Sequence, residues 1–148
     1  MLGKATLYFL VIRVIFSASS LAQTERYTKG AENGYTWLAM DDPSLIYNTS
    51  KENYLSSILD RMRITGERDP EVSSLGCRTD IDKLFSEDKS EEFSLEDVVN
   101  EIDRFYSQRD NLVIPIIFAY CYTIKKFAGA SAKELAEYKK EVLMFCND

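Results

Sequence analysis

Proton transfer near neutral pH usually falls to imidazole, and this chain contains no histidine. A Ser-His-Asp triad, a Cys-His pair and a histidine-bearing zinc site are therefore out of reach. Three cysteines, Cys77, Cys121 and Cys146, fall one short of a four-thiolate zinc site. A reactive centre would have to use carboxylates, hydroxyls or amines. Asp41 and Asp42 supply two carboxylates of the kind a glycosidase needs, but adjacent acids before Pro43 are ordinary turn formers. Ser86 and Lys89 have the SxxK spacing of a serine nucleophile with a lysine base, yet they lie among acids and lack the companion motifs. Glu87, Asp88, Glu91 and Glu92 offer hard oxygen donors for calcium. Counting from Asp88, however, the twelfth position is Val99 and the obligatory loop glycine is missing, so the cluster reads as a solvated linker before a helix N-terminus. The six glycines are dispersed and form no phosphate-cradling motif. The expectation is a protein with no enzymatic centre, cofactor or metal.

Aromatic side chains are the remaining class with binding chemistry. Trp37, Tyr106, Phe118, Tyr120, Tyr122, Phe127 and Tyr138 could line an apolar pocket or anchor a protein partner, against the plainer reading that they fill the core. Of these, Trp37, Tyr106, Phe118, Tyr122 and Tyr138 are the candidate ligand- or partner-binding residues.

The elements that would position them are helical. Thr49 and Glu52 have capping-box spacing, and Tyr54, Leu55, Ile58, Leu59 and Met62 then recur on one face until Gly66, which predicts a helix over about 50 to 65. A shorter helix is expected from Thr79 to Phe85. Ser94 and Asp97 form a second capping box, with Phe93 placed to staple onto Val98, and Leu95, Val98, Val99, Ile102, Phe105 and Tyr106 carry the helix inward to about 109. The most apolar segment, Leu112 to Ala128, is expected as the central helix with Pro115 in its first turn and Gly129 after its end. Ser131 and Glu134 cap the last helix, with Leu135, Tyr138, Val142 and Leu143 on one face. Residues 35–40, around Trp37, fit helix or strand, and 23–48 as a whole read as a loosely structured leader. An all-α compact bundle of five or six helices follows, with no competing hairpin signal.

The first 22 residues are of a different kind. Lys4 opens an apolar run from Ala5 to Phe16, and Ser20 and Ala22 are small residues at the positions signal peptidase reads, so cleavage is expected to leave Gln23 first. Arg13 interrupts the run. Residues 23–148 then form a single secreted domain. Losing Lys4 and Arg13 takes the net charge from −6 to −8, which opposes nucleic acid and anionic membrane as partners. Asn48-Thr49-Ser50 is a glycosylation sequon. No membrane span is expected in the mature chain, since Leu112 to Ile124 is too short and carries Pro115.

An oxidising compartment implies one disulfide and one leftover thiol. Antiparallel packing of the last two helices puts Cys121 and Cys146 out of register, which disfavours that pair. Cys77 with Cys146 is expected, leaving Cys121 buried among aromatics; Cys77 with Cys121 is the alternative and would free Cys146 for a disulfide-linked dimer instead of a monomer. The functional expectation is a secreted acidic helical protein that binds an extracellular protein partner without covalent chemistry, as a salivary, venom, reproductive or host-directed factor would. The alternative is a carrier of a small hydrophobic ligand in a closed cavity.

Overall fold

The computed structural model describes residues 25–44, 49–57, 75–86 and 92–148. The expected leader peptide, Asn48, the acidic residues 87–91 and the far part of the 50–65 helix lie outside the described residues. In order, the described elements are strands β1 (Tyr27–Thr28) and β2 (Ala31–Glu32), helix α1 (Gly34–Ala39), a helical stretch over 51–57 (α2), α3 (Arg78–Ser86), α4 (Leu95–Tyr106), a 3-10 turn (Arg109–Asn111), α5 (Ile116–Phe127) and α6 (Ala132–Asn147). The fold is the expected helical bundle. Among the described residues no helix is long and apolar enough to cross a membrane.

Helix α5 lies at the centre because it is apolar on nearly every side. Ile116, Phe118, Ala119, Tyr120, Cys121, Thr123 and Ile124 are all buried, and α3, α4 and α6 each pack against it. A helix that is apolar around its circumference has no face to offer water and must be surrounded. It is shorter than expected. Pro115 is its N-cap at φ −55° and ψ 143°, outside the first turn, and Leu112 to Ile114 belong to the connection after the 3-10 turn. Its C-terminus stops where expected, at Gly129 with φ +88°, a left-handed conformation that glycine adopts without cost.

Both later capping boxes form. Asp97 N–H donates to Ser94 Oγ at 3.1 Å while Ser94 N–H donates to Asp97 Oδ2 at 2.8 Å. Ser131 and Glu134 repeat the exchange at 3.3 and 2.7 Å. The serine hydrogen bonds hold both carboxyls below their ordinary range. The earlier cap is shifted by one residue: Ser50 Oγ accepts from Asn53 N–H, and the helix begins at 51, so Ser50 replaces Thr49 in the role. The Phe93 ring stacks on Phe127 at 4.1 Å between centroids.

The expected loose leader is ordered over 25–44. Lys29 and Gly30, at φ 51° and 78°, make a two-residue turn with both positions left-handed, which matches the twist of a tight hairpin and pairs Tyr27 with Glu32. The undecided segment around Trp37 is helix, and its cap is Asn33, whose side-chain oxygen accepts from Tyr35 N–H at 3.1 Å. The Asn33 side chain also donates to Glu25 O and Thr28 Oγ1 while its backbone forms a β-bridge with Pro115, so this one buried residue ties hairpin, α1 and the start of α5 together. Gly34 is required by closeness of approach: a Cβ there would lie 2.5 Å from the Tyr106 ring and 2.9 Å from Leu112 Cα.

The disulfide corrects the expected pairing. Cys77 bonds Cys121, with Cα atoms 5.2 Å apart, and Cys146 is the free, half-buried thiol. Cys77 immediately precedes α3, which packs on α5, so the two sulfurs meet inside the core where Cys77 is 2% and Cys121 0% exposed. The apolar surroundings that suggested an inert Cys121 thiol suit a buried disulfide equally well.

Candidate functional site

Four of the five aromatic candidates point into the core. Trp37, Tyr106, Phe118 and Tyr138 are buried, and Tyr122 is half-buried against Phe105. Each buried polar tip has an internal partner: Trp37 Nε1 donates to Asp103 Oδ1 at 2.6 Å, Tyr106 Oη to Ile114 O at 2.8 Å and Tyr138 Oη to Leu75 O at 2.8 Å. Burial pushes the Tyr106 and Tyr138 phenols well up, so they stay protonated. These residues are not gathered around a common opening. Phe118 packs edge-on to Phe145, and Tyr138 lies beneath Lys125, whose ammonium sits 5.1 Å above its ring.

Three charged groups are also turned inward. Lys51, 7% exposed, donates to Asp41 Oδ2 at 2.5 Å and Asp103 Oδ1 at 2.6 Å and lies over the Trp37 ring. Buried Glu101 accepts from Arg104 and Lys126, each at 2.5 Å. Lys125 pairs with Asp80 at 2.7 Å. A buried charge must be matched in this way, and each of these side chains joins two elements or two turns of one helix. The Asp41-Asp42 pair is divided between two structural tasks: Asp41 on Lys51, and Asp42 accepting from the N–H and hydroxyl of Ser44, which lowers its pKa.

Two open clefts flank α6. Its inner face buries Leu135, Tyr138 and Val142, leaving two outer edges of opposite character. On one side, Asp80, Glu134, Glu137 and Glu141, with Lys125 and Tyr138, surround an open cleft of about 300 Å³. On the other, Ala136, Lys139, Lys140, Leu143, Met144, Asn147 and Asp148 line a shallow cleft of about 470 Å³. Their spacing of three, four, seven and eight residues puts them in one stripe. Met144, at 58% exposure, is the most exposed large apolar side chain among the described residues. Lys139 donates only to the neutral Gln108 amide at 3.2 Å, and among the described residues Lys140 has no carboxylate partner.

Periodicity places Leu143 on the inner face, where it is half-buried against the core, and does not mark this edge of α6 as a site. Its seven residues include just two large apolar side chains, whereas the aromatic residues that drew attention in the sequence are those a core needs. Comparison with protein-family models, with curated proteins and with solved structures found no match for this chain.

Proposed function

We propose that the protein acts outside the cell by non-covalent binding to a protein partner, and that the apolar stripe of α6 is the contact surface. The observation that carries this reading is the stripe itself: Met144 stands exposed beside half-buried Leu143 in an open cleft whose charged lining is Lys139, Lys140 and Asp148. Exposed apolar surface rimmed by charge is the usual composition of a protein interface, and methionine adapts its shape to a partner at little cost. Both described clefts are open to solvent, a form that suits a macromolecular surface better than an enclosed small ligand. Export is supported by the apolar segment after Lys4 and by the Cys77–Cys121 bond, since disulfides persist in oxidising compartments. Asn48 is the proposed glycan acceptor on the same pathway.

The test has two steps. Expressed full-length in a cell with a secretory pathway, the protein should accumulate in the medium with Gln23 as its first residue; retention in the cytosol from Met1 overturns the export reading. A photo-crosslinking residue in place of Met144 should then give a discrete adduct in native extracellular fluid, while the same residue in place of exposed Glu96 on α4 should not. Equal labelling from both positions, or none from 144, overturns the assignment of the surface.

A further inference from the structure

Asn33 and Gly34 are the only Asn-Gly pair in the chain, and that dipeptide carries a reaction of its own. The backbone nitrogen after an asparagine can attack the side-chain Cγ, and glycine has no side chain to obstruct the approach or the backbone rotation it needs. This is one source of the thermal lability of asparagine. A bond forms between Gly34 N and Asn33 Cγ, the Cγ–Nδ2 bond breaks, the Gly34 amide proton passes to the leaving nitrogen through solvent, and ammonia departs. Water then opens the resulting cyclic imide at either carbonyl. One product is aspartate in the ordinary chain; the other is isoaspartate, whose main chain runs through the former side chain.

The fold requires both residues and holds the reacting atoms apart. Gly34 N–H donates to Leu112 O at 3.0 Å, so the attacking nitrogen is engaged. The Asn33 amide is fixed by three hydrogen bonds: Oδ1 accepts from Tyr35 N–H at 3.1 Å, and Nδ2 donates to Glu25 O at 2.8 Å and to Thr28 Oγ1 at 3.0 Å. With Asn33 only 1% exposed, Cγ cannot swing onto Gly34 N without leaving those buried partners unsatisfied. Gly34 cannot gain a side chain cheaply, because a Cβ would meet Tyr106 and Leu112.

We infer that Asn33–Gly34 is a latent self-modification site: docking of the hairpin and α1 guards it, and when they lift from α4 and α5, Asn33 deamidates to a product that cannot dock again. Aspartate at 33 sets a carboxylate against Glu25 O, acceptor against acceptor, and buries a charge where a neutral donor stood. Isoaspartate lengthens the main chain by one carbon between the bridge to Pro115 and the hydrogen bond to Leu112, so the two cannot keep their register together. A reversible opening thus becomes a one-way loss of this segment. Hydrogen exchange at Gly34 needs release of the same N–H from Leu112 O, so exchange and deamidation share one gate.

The experiment incubates the purified full-length chain, disulfide intact, at mildly alkaline pH below its melting temperature and follows residue 33 by peptide mapping, beside a synthetic peptide of residues 30–37. The peptide should lose its amide at least tenfold faster than the protein. Across sub-denaturing urea concentrations, the rate at 33 should rise in proportion to exchange of the Gly34 amide. Chains already deamidated at 33, separated by ion exchange, should exchange amides at least tenfold faster over 25–44 while 116–147 keeps the parent's pattern. Equal rates in protein and peptide overturn the guarding role. A rate at 33 that stays constant while Gly34 exchange rises overturns the shared gate. Deamidated chains with the parent's exchange over 25–44 overturn the one-way step, and quickening that extends equally to 116–147 overturns its restriction to this segment.

Discussion

The bundle fastens its two outlying segments to the α4–α5 centre by different means. On one side, the chain before α3 is attached covalently through Cys77–Cys121 and then reinforced by Tyr138 Oη on Leu75 O and by Lys125 on Asp80. On the other, the hairpin, α1 and α2 are attached without any covalent bond. Trp37 and Lys51 converge on Asp103, Tyr54 hydrogen bonds to Glu32, and Gly34 lies against Tyr106. The first side has one covalent bond with two polar contacts beside it. The second depends on several contacts being correct together, because an unpaired buried group costs more than its hydrogen bond contributes when made.

The largest effect should come from replacing Cys77 and Cys121 together with serine. The bond spans 44 residues, and the chain-entropy model then gives a loss of about 4 kcal/mol in unfolding free energy, measured by chemical denaturation of the two forms. A loss under about 1 kcal/mol would mean that the noncovalent contacts around Leu75 and Asp80 already hold that side. Next in size is Gly34→Ala. Its Cβ would need the Tyr106 ring and the Leu112 backbone to move, at about 1–3 kcal/mol by analogy with overpacked cores, and amide exchange in the hairpin should quicken more than in α6. Uniform quickening would show that the two sides unfold as a single unit and would remove the contrast drawn here.

The smallest effect is a pH dependence shared by both sides. Tyr106 lies under α1 and Tyr138 under the segment before Cys77, and burial raises both phenols above 10.0. Below that value the folded and unfolded chains both keep the proton, so pH changes nothing. Above it the unfolded chain releases the proton while the folded chain holds it, and stability falls by up to about 1.4 kcal/mol per tyrosine for each further pH unit. Denaturation midpoints should be flat approaching pH 10 and decline beyond it. Tyr138→Phe should remove its share of the slope, and an unchanged slope in that variant would refute the role given to this phenol.

What could be read from the sequence was local. Ser94 with Asp97 and Ser131 with Glu134 satisfy helix starts within four residues of chain, and Gly129 ends α5 by its own conformational freedom. Thr49 and Ser50 are both competent caps, so spacing alone could not choose between them. The hairpin escaped because two-residue strands have no alternating pattern to detect, and its turn uses Lys29 in a conformation rarely adopted by lysine. The disulfide needed tertiary information: helix register correctly separated Cys121 from Cys146, but only the docking of α3 on α5 decides which of them Cys77 meets. The α6 edges were hidden for a related reason. Helical periodicity puts Leu135, Tyr138, Val142 and Leu143 on the inner face, but it does not say that neighbouring elements cover Leu143 only in part and leave Met144 exposed.

One sulfur remains outside all of these attachments. Cys146 is half-buried, and desolvation raises its pKa although Lys29 opposes the shift. At physiological pH it is therefore a slow nucleophile, because sulfur chemistry proceeds through the thiolate. Material stored without a reductant should scramble its bridge or couple to a second molecule only sluggishly, and the rate at which a maleimide dye labels the native protein becomes a clock for loosening of the last turn of α6.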